Sequence, residues 1–235
     1  FEQAGVTVSI KRDDLIHPII SGNKWRKLAG NIAYAKSMNK RGIISFGGAY
    51  SNHIHALSYA CHQEGLDSTG IIRGEPHYLQ NYTLSWASHW GMKVQFVDRQ
   101  TYKKRHDNSY LAELSKRNPD YLIVPEGGTN DLALVGVGEV IKELDHQVTF
   151  DTLMLPVGSG GTIAGLAKAD GNRHDILGIC ILKGAEYLNE EVRQLINQHN
   201  CMRWSINHDF HQGGYAKFSE QICRDIFDFS RATKI

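Results

Sequence analysis

The sequence predicts an α/β protein with mainly parallel sheets. Short apolar segments that are typical of strands alternate with longer segments of helical periodicity, at the spacing of βαβ units. Glycine-rich turns follow three of the predicted strands, where the chain must turn into the next element. The 235 residues are 41% hydrophobic and 22% charged, which is an ordinary globular composition. We therefore expect helices on both faces of a parallel sheet, in one large domain or two smaller ones.

The predicted strands are short and apolar, and the first of them also alternates between apolar and polar residues. They cover residues 6–10, 43–46, 68–73, 94–97, 121–124, 152–157 and 177–181. The predicted helices follow turn-forming residues or loops and show helical spacing of their apolar side chains. They cover residues 24–40, 53–63, 82–89, 109–117, 132–144, 163–168 and 186–199. Strands and helices therefore alternate along the whole predicted order.

Charge and composition argue against several classes of function. The net charge is +1 and long basic runs are absent, so the sequence predicts no binding to nucleic acid or to an anionic membrane surface. No stretch approaches the roughly 20 apolar residues of a membrane span, and no signal peptide is visible. The four cysteines are widely spaced without a CxxC pair, which favours a reducing cytoplasm over a disulfide framework or a zinc knuckle.

A lysine near the start of the chain, Lys24, is a candidate nucleophile. It follows the turn-forming residues Gly22 and Asn23 and directly opens a helical pattern. An amine near a helix N-terminus and other cations has its charged form disfavoured, which helps it to attack a carbonyl. A surface lysine at a helix start is the alternative, and the short segment alone does not decide between the two.

The segment Gly158-Ser159-Gly160-Gly161-Thr162 is a candidate anion site, because it follows a predicted strand and precedes a predicted helix. Consecutive backbone N–H groups can face one anion there, and the hydroxyls of Ser159 and Thr162 add donors. The segment lacks the lysine of a P-loop and the spacing of a dinucleotide fingerprint. We therefore predict a site for a single phosphate, although a tight turn alone would also require glycines.

A second glycine-rich loop, residues 47–53, brings Ser51 and Asn52 to the start of a helix. Ser51 is a candidate for proton transfer, and Asn52 is a candidate donor to a phenolate-like oxygen. Both residue types are also favoured N-caps, which is the alternative interpretation. No GxSxG segment surrounds Ser51, and this absence argues against a serine hydrolase.

The predicted groups together suit one cofactor. The 12 histidines bring no carboxylate or cysteine partners at metal-site spacing, so the sequence predicts no metal site. The lysine suits an aldehyde, the glycine-rich loop suits a phosphate, and the amide donor suits a ring oxygen. A single ligand that carries all three groups would therefore fit the predicted site. Pyridoxal 5′-phosphate carries all three groups.

Three segments of the chain resemble, in the same order, segments of the 1-aminocyclopropane-1-carboxylate deaminase / D-cysteine desulfhydrase family: residues 21–27, 47–53 and 158–162. The members are pyridoxal-phosphate enzymes with the tryptophan synthase β-subunit fold, and the resemblance covers nearly the whole chain. It implies two three-layer α/β/α domains, a smaller one near residues 28–138 and a larger one from residues 1–27 together with 139–235. It also implies a homodimer.

The resemblance assigns a role to each candidate residue. Lys24 would hold the cofactor as a Schiff base and later shuttle a proton, and Asn52 would bond the cofactor ring oxygen. The loop from Gly158 to Thr162, with Ser159, Gly160 and Gly161 between them, would hold the phosphate. Ser51 would contact the substrate carboxylate or assist deprotonation. Gly213-Gly214-Tyr215 resembles a family segment whose tyrosine lines the active site, so Tyr215 is a further catalytic candidate.

The implied activity is a lyase or deaminase reaction on a small amino acid. His53 follows the Ser-Asn pair, which favours the D-cysteine desulfhydrase branch, with release of ammonia, a keto acid and sulfide. The alternatives are a 1-aminocyclopropane-1-carboxylate deaminase and a non-catalytic cofactor-binding homologue. In the family, a Pro-Val-Tyr segment near the C-terminus supplies a tyrosine and the group that faces the pyridine nitrogen. We expect that segment beyond Ile235.

Overall fold

The computed structural model describes residues 5–20, 22–196, 201–214, 217 and 219–234. The chain divides into two compact units, Phe1–Val137 and Gly138–Ile235, and each contains a parallel sheet. The predicted α/β class with parallel sheets is confirmed. The domain limits implied by the family resemblance stay a prediction. No helix in the described part of the chain is both long enough and apolar enough to cross a membrane.

The first unit is organised around a four-stranded sheet in the order β3-β2-β1-β4. Its strands are β1 (Gly42–Gly48), β2 (Asp67–Arg73), β3 (Lys93–Val97) and β4 (Tyr121–Val124). Its helices are α1 (Asn23–Ser37), α2 (Asn52–Gln63), α3 (Tyr82–His89), α4 (Arg99–Lys103) and α5 (Asn108–Arg117), and α6 (Asp131–Gln147) begins in this unit.

Helices cover both faces of this sheet because successive side chains of a strand point to opposite faces. Ile43 of β1 belongs to a buried cluster with Ile54 of α2. Its neighbour Ile44 belongs to a different buried cluster, with Tyr102 of α4. Ser45, two residues after Ile43, therefore faces α2. The first unit is a three-layer α/β/α arrangement.

The second unit is organised around a three-stranded parallel sheet in the order β5-β6-β7. Its strands are β5 (Thr152–Val157), β6 (Asp175–Cys180) and β7 (Trp204–Asn207). Its helices are α7 (Gly161–Asp170), α8 (Leu188–Ile196) and α9 (Glu220–Thr233). Helices α7 and α8 bury apolar side chains such as Ile163 and Val192, whereas α9 buries none.

Some predicted elements are wrong or incomplete. Residues 6–10 form no strand, and Val6 and Val8 are exposed, because an alternating pattern alone does not supply a neighbouring strand to pair with. Helix α1 ends at Ser37 rather than at residue 40, and Asn39 beyond it adopts a left-handed φ of 51°. The sequence did not predict α4, β7 or α9.

Candidate active site

Lys24 lies in the first turn of α1, directly after Asn23, and its amine donates a hydrogen bond to Asn23 Oδ1 at 3.0 Å. The N-cap is Gly22, whose φ of 63° is a conformation that favours glycine. Burial lowers the pKa of Lys24, because a charged amine is disfavoured away from water. The predicted loop-to-helix position is observed. The cause of the lowered pKa is burial rather than the helix end or neighbouring cations.

A second lysine, Lys27, lies three residues further along α1 and is 1% exposed. Its amine donates to Thr129 Oγ1 at 3.0 Å and to the Gly127 carbonyl at 3.5 Å. Burial, followed by the charge of Lys24, lowers the pKa of Lys27 to about 7. The sequence prediction missed Lys27. Residues three apart on a helix lie on the same face, so the spacing from Lys24 indicated that the two amines would be close together.

Ser51 and Asn52 stand where β1 leads into α2. Ser51 is the N-cap of α2, and its Oγ accepts a hydrogen bond from the Ile54 N–H at 3.3 Å. The turn before it requires glycine at position 47, because an added Cβ would lie 2.8 Å from Ser51 Oγ. Asn52 is the first residue of the helix and is exposed to solvent. The N-cap interpretation of Ser51 is therefore correct, and its hydroxyl proton is not used by the cap.

His53 is buried beside these groups, with 2% of its surface exposed. Its Nε2 lies 2.8 Å from Ser45 Oγ, and its Nδ1 is buried without a hydrogen-bond partner in the described part of the chain. Burial first, then the charges of Lys24 and Lys27, lower the pKa of His53 to about 3. The ring is therefore neutral at every pH at which the protein would normally be studied.

The loop after β4 connects these groups, since Gly127 and Thr129 bond Lys27 while Gly128 approaches His53. The residue before them, Glu126, accepts hydrogen bonds from Tyr102 OH at 2.6 Å and from Arg105 Nε. The guanidinium of Arg105 also lies 4.7 Å from the centre of the Tyr102 ring. A network of side chains thus anchors the start of the loop.

The predicted phosphate loop lies in the second unit, between β5 and α7. Gly160 is the N-cap of α7 and has a φ of 71°, a conformation that favours glycine. An added Cβ at Gly160 would lie 2.7 Å from Val192 Cγ2 on α8, so the loop has no room for a larger residue there. The N-terminus of a helix of 10 residues follows, where backbone N–H groups favour an anion.

In the structure, Lys24 lies close enough to Lys27 and His53 for its charge to lower the pKa of both. Ser51 and Asn52 begin α2 directly before His53. Tyr215, the remaining candidate, lies outside the described residues. Among the residues that the structure describes, no group of three or more His, Cys, Asp or Glu side chains could hold a metal ion. Ser45 is a second residue that the sequence prediction missed, and its signal was a polar residue inside an apolar strand.

Comparison with known proteins supports the resemblance. The family described as pyridoxal-phosphate dependent enzyme matches residues 1–192. A putative 1-aminocyclopropane-1-carboxylate deaminase of Pyrococcus horikoshii is 30% identical over 200 residues, which cover 81% of this chain and 55% of that protein. A bifunctional D-cysteine desulfhydrase/1-aminocyclopropane-1-carboxylate deaminase of Arabidopsis thaliana is 30% identical over 69% of this chain and 45% of that protein. The chain thus spans about half the length of these two relatives.

A solved structure shares the fold over the whole chain. The crystal structure of a homologue of 1-aminocyclopropane-1-carboxylate deaminase superposes with a TM-score of 0.86 and 25% sequence identity. The superposition covers 100% of this chain and 75% of that one. The similarity extends to both compact units, since it includes all of the chain.

Proposed function

We propose that this chain, which belongs to the family of pyridoxal-phosphate dependent enzymes, catalyses a lyase or deaminase reaction on a small amino acid. The proposed reaction is that of a D-cysteine desulfhydrase, with release of ammonia, a keto acid and sulfide. The observation that carries the proposal is the Lys24 amine, held at the first turn of α1 with a pKa that burial lowers. Only the neutral amine attacks an aldehyde, and the lowered pKa gives Lys24 a larger neutral fraction than an exposed lysine has.

The described residues fit the family's cofactor. Lys24 would hold its aldehyde carbon, and Asn52, exposed at the start of α2, would donate to its ring oxygen. The glycine-rich turn at residues 158–162 has the tight backbone and the helix N-terminus that suit its phosphate. Lys27 adds a second buried amine near Lys24, and a bound anion would favour the charged form of Lys27.

The residues of this chain supply positioning and proton transfer. When bound, pyridoxal phosphate supplies an electron sink for the carbanion that forms on the amino acid. The Lys24 amine is the group that takes and returns the substrate proton, because burial lowers its pKa and so raises the share of neutral amine that can accept a proton. Ser51 uses a lone pair of Oγ for the helix cap, which leaves its hydroxyl proton to donate to a substrate carboxylate.

An assay of the purified chain with added pyridoxal phosphate tests this function. Sulfide and ammonia are measured with D-cysteine, and ammonia alone is measured with 1-aminocyclopropane-1-carboxylate. We expect sulfide and ammonia from D-cysteine, with L-cysteine as the stereochemical control. Ammonia only from the cyclopropane substrate would favour the deaminase alternative. Cofactor binding without product from either substrate would favour a non-catalytic homologue.

We also propose that the protein works in the cytoplasm as a homodimer. All four cysteines are free thiols, which suits a reducing compartment. The homodimer rests on the resemblance of residues 21–27, 47–53 and 158–162 to segments of the family. Light scattering should give twice the chain mass of 26.4 kDa, and a monomeric mass would contradict the dimer.

A further inference from the structure

Ser45 is a buried hydroxyl at the meeting point of β1, β4 and α2. It is 0% exposed, and its Oγ lies 2.8 Å from His53 Nε2. The same Oγ lies 2.8 Å from the Val124 carbonyl and 3.2 Å from the Pro125 carbonyl. Three potential partners therefore surround one hydroxyl group that has a single proton.

The partners of Ser45 determine where that proton goes. A carbonyl oxygen can only accept, so the contacts with Val124 and Pro125 take the hydroxyl proton. Ser45 Oγ then has only lone pairs to offer His53, and His53 Nε2 must carry the hydrogen that it donates to Oγ. A neutral imidazole has one N–H, so Nδ1 of His53 is left as a bare acceptor.

The surroundings of His53 hold the ring in this orientation. Gly128, with a φ of 70°, packs against the ring edge, where an added Cβ would lie 3.1 Å from Cε1 and 3.3 Å from Nδ1. Nδ1 is buried and has no hydrogen-bond partner in the described part of the chain. Buried polar atoms in folded proteins are usually paired, so a bare acceptor beside Lys24 and Lys27 points to a donor that arrives with a ligand.

We propose that Ser45 is a positioning residue, which fixes His53 in the Nε2–H tautomer and presents its Nδ1 as the acceptor for an N–H group of the bound amino acid. The identity of the ligand rests on the proposed function, whereas the tautomer does not. The lowered pKa of His53 agrees with this role, because a neutral ring keeps the lone pair on Nδ1. Substrates would be selected in part by their ability to donate to this nitrogen.

Nitrogen-15 NMR of the histidine-labelled chain, without cofactor, tests the tautomer. The spectrum of His53→Gln identifies the His53 signals among the 12 histidines. We expect Nε2 protonated and Nδ1 unprotonated in the wild type, a changed tautomer population in Ser45→Ala, and recovery in Ser45→Thr. The matched control is Ser58→Ala, since Ser58 is equally buried but donates to the His55 carbonyl instead. Nδ1–H in the wild type, or an unchanged tautomer in Ser45→Ala, would overturn the role of Ser45.

Addition of D-alanine to the cofactor-loaded chain tests the acceptor. D-alanine carries an amine and a carboxylate but no leaving group, so the readout does not depend on turnover. We expect the His53 Nδ1 resonance to move in the direction of a hydrogen-bonded acceptor, and an unmoved resonance would overturn the ligand contact. Failure of the proposed function would be seen separately, as absence of cofactor bound at Lys24, and would leave the cofactor-free tautomer measurement valid.

Discussion

The charge of Lys24 reaches Lys27, three residues further along α1, and adds to the burial that lowers the pKa of Lys27 to about 7. Two amines thus share one end of a helix. Burial lowers the pKa of both, and the charge of Lys24 lowers the pKa of Lys27 further. This arrangement suits a site that must keep an amine neutral and also attract an anion. It leads to predictions for stability as well as for chemistry.

The lowered pKa of Lys27 should make stability depend on pH. Between about pH 7 and 10.5 the lysine is charged in the unfolded chain and largely neutral in the folded one. The unfolded state binds more protons there, so stability rises with pH, by up to about 1.4 kcal/mol for each pH unit. The burial of Lys27 therefore destabilises the folded state by its full amount below about pH 7, and this destabilisation disappears above about pH 10.5.

Lys27→Met should remove this contribution. Urea unfolding of the wild type and the variant, compared at pH values near 7 and near 10.5, should show the variant gaining most at the lower pH. Lys142→Met is the matched control, since Lys142 is 70% exposed and should give no such change. An equal difference between wild type and Lys27→Met at both pH values would contradict the lowered pKa.

Gly128→Ala should destabilise the protein by more than the strain of its φ alone. A left-handed φ disfavours any residue with a Cβ by about 1–2 kcal/mol, and at Gly128 the new Cβ would also press on His53. Gly65→Ala is the control, because Gly65 has a similar φ of 67° with nothing within 4 Å of an added Cβ. Equal losses of unfolding free energy in the two variants would show that the contact with His53 has no energetic weight.

Glu126→Gln should weaken the anchor of the loop that bonds Lys27. The variant loses the charged partner of Arg105 and the charged acceptor of the buried Tyr102 hydroxyl, so we expect a loss of about 1–3 kcal/mol in unfolding free energy. Glu113→Gln is the control, because Glu113 pairs with Arg117 on an exposed helix surface and should lose about 0.5 kcal/mol or less. Similar losses in both variants would mean that the Glu126 network does not stabilise the loop.

Ser51→Ala should separate the two roles of the serine. Removal of the cap of α2 should lower stability by about 1 kcal/mol, and loss of the hydroxyl donor should reduce turnover by a larger factor than it weakens cofactor binding. Ser219→Ala is the control, since Ser219 caps α9 with the same 3.3 Å contact, to the Ile222 N–H. If Ser51→Ala kept full turnover, Ser51 would act only as a cap.

The parts of the fold that follow from local pattern could be predicted from the sequence. The apolar run of β1, the glycines after it and the serine that begins α2 each have a local physical cause, and the structure has them in that order. The segment at residues 6–10 has an equally good strand pattern but no partner strand, which only the tertiary structure determines. Helix α9 has apolar residues at helical spacing, Ile222, Ile226 and Phe229, which is a local signal of a helix in the C-terminal region.

The candidate site was predictable only in part. Lys24, Ser51 and Asn52 lie in short segments with nearby glycines, and such segments can be recognised in a sequence. Lys27 and Ser45, by contrast, form their hydrogen bonds with residues about 80–100 positions away. Their partners are Thr129 and Val124. Contacts over such separations leave no periodic signal in a single sequence. The role of each candidate residue in catalysis remains a prediction.

The most direct test of the central claim is to find which lysine carries the cofactor. The chain is loaded with pyridoxal phosphate, reduced with borohydride, digested and analysed by mass spectrometry, beside Lys24→Ala and Lys27→Ala. We expect the pyridoxyl group on Lys24 in the wild type and in Lys27→Ala, and no labelled peptide with Lys24→Ala. A pyridoxyl group on Lys27, or labelling that persists in Lys24→Ala, would contradict the assignment of Lys24 as the cofactor lysine.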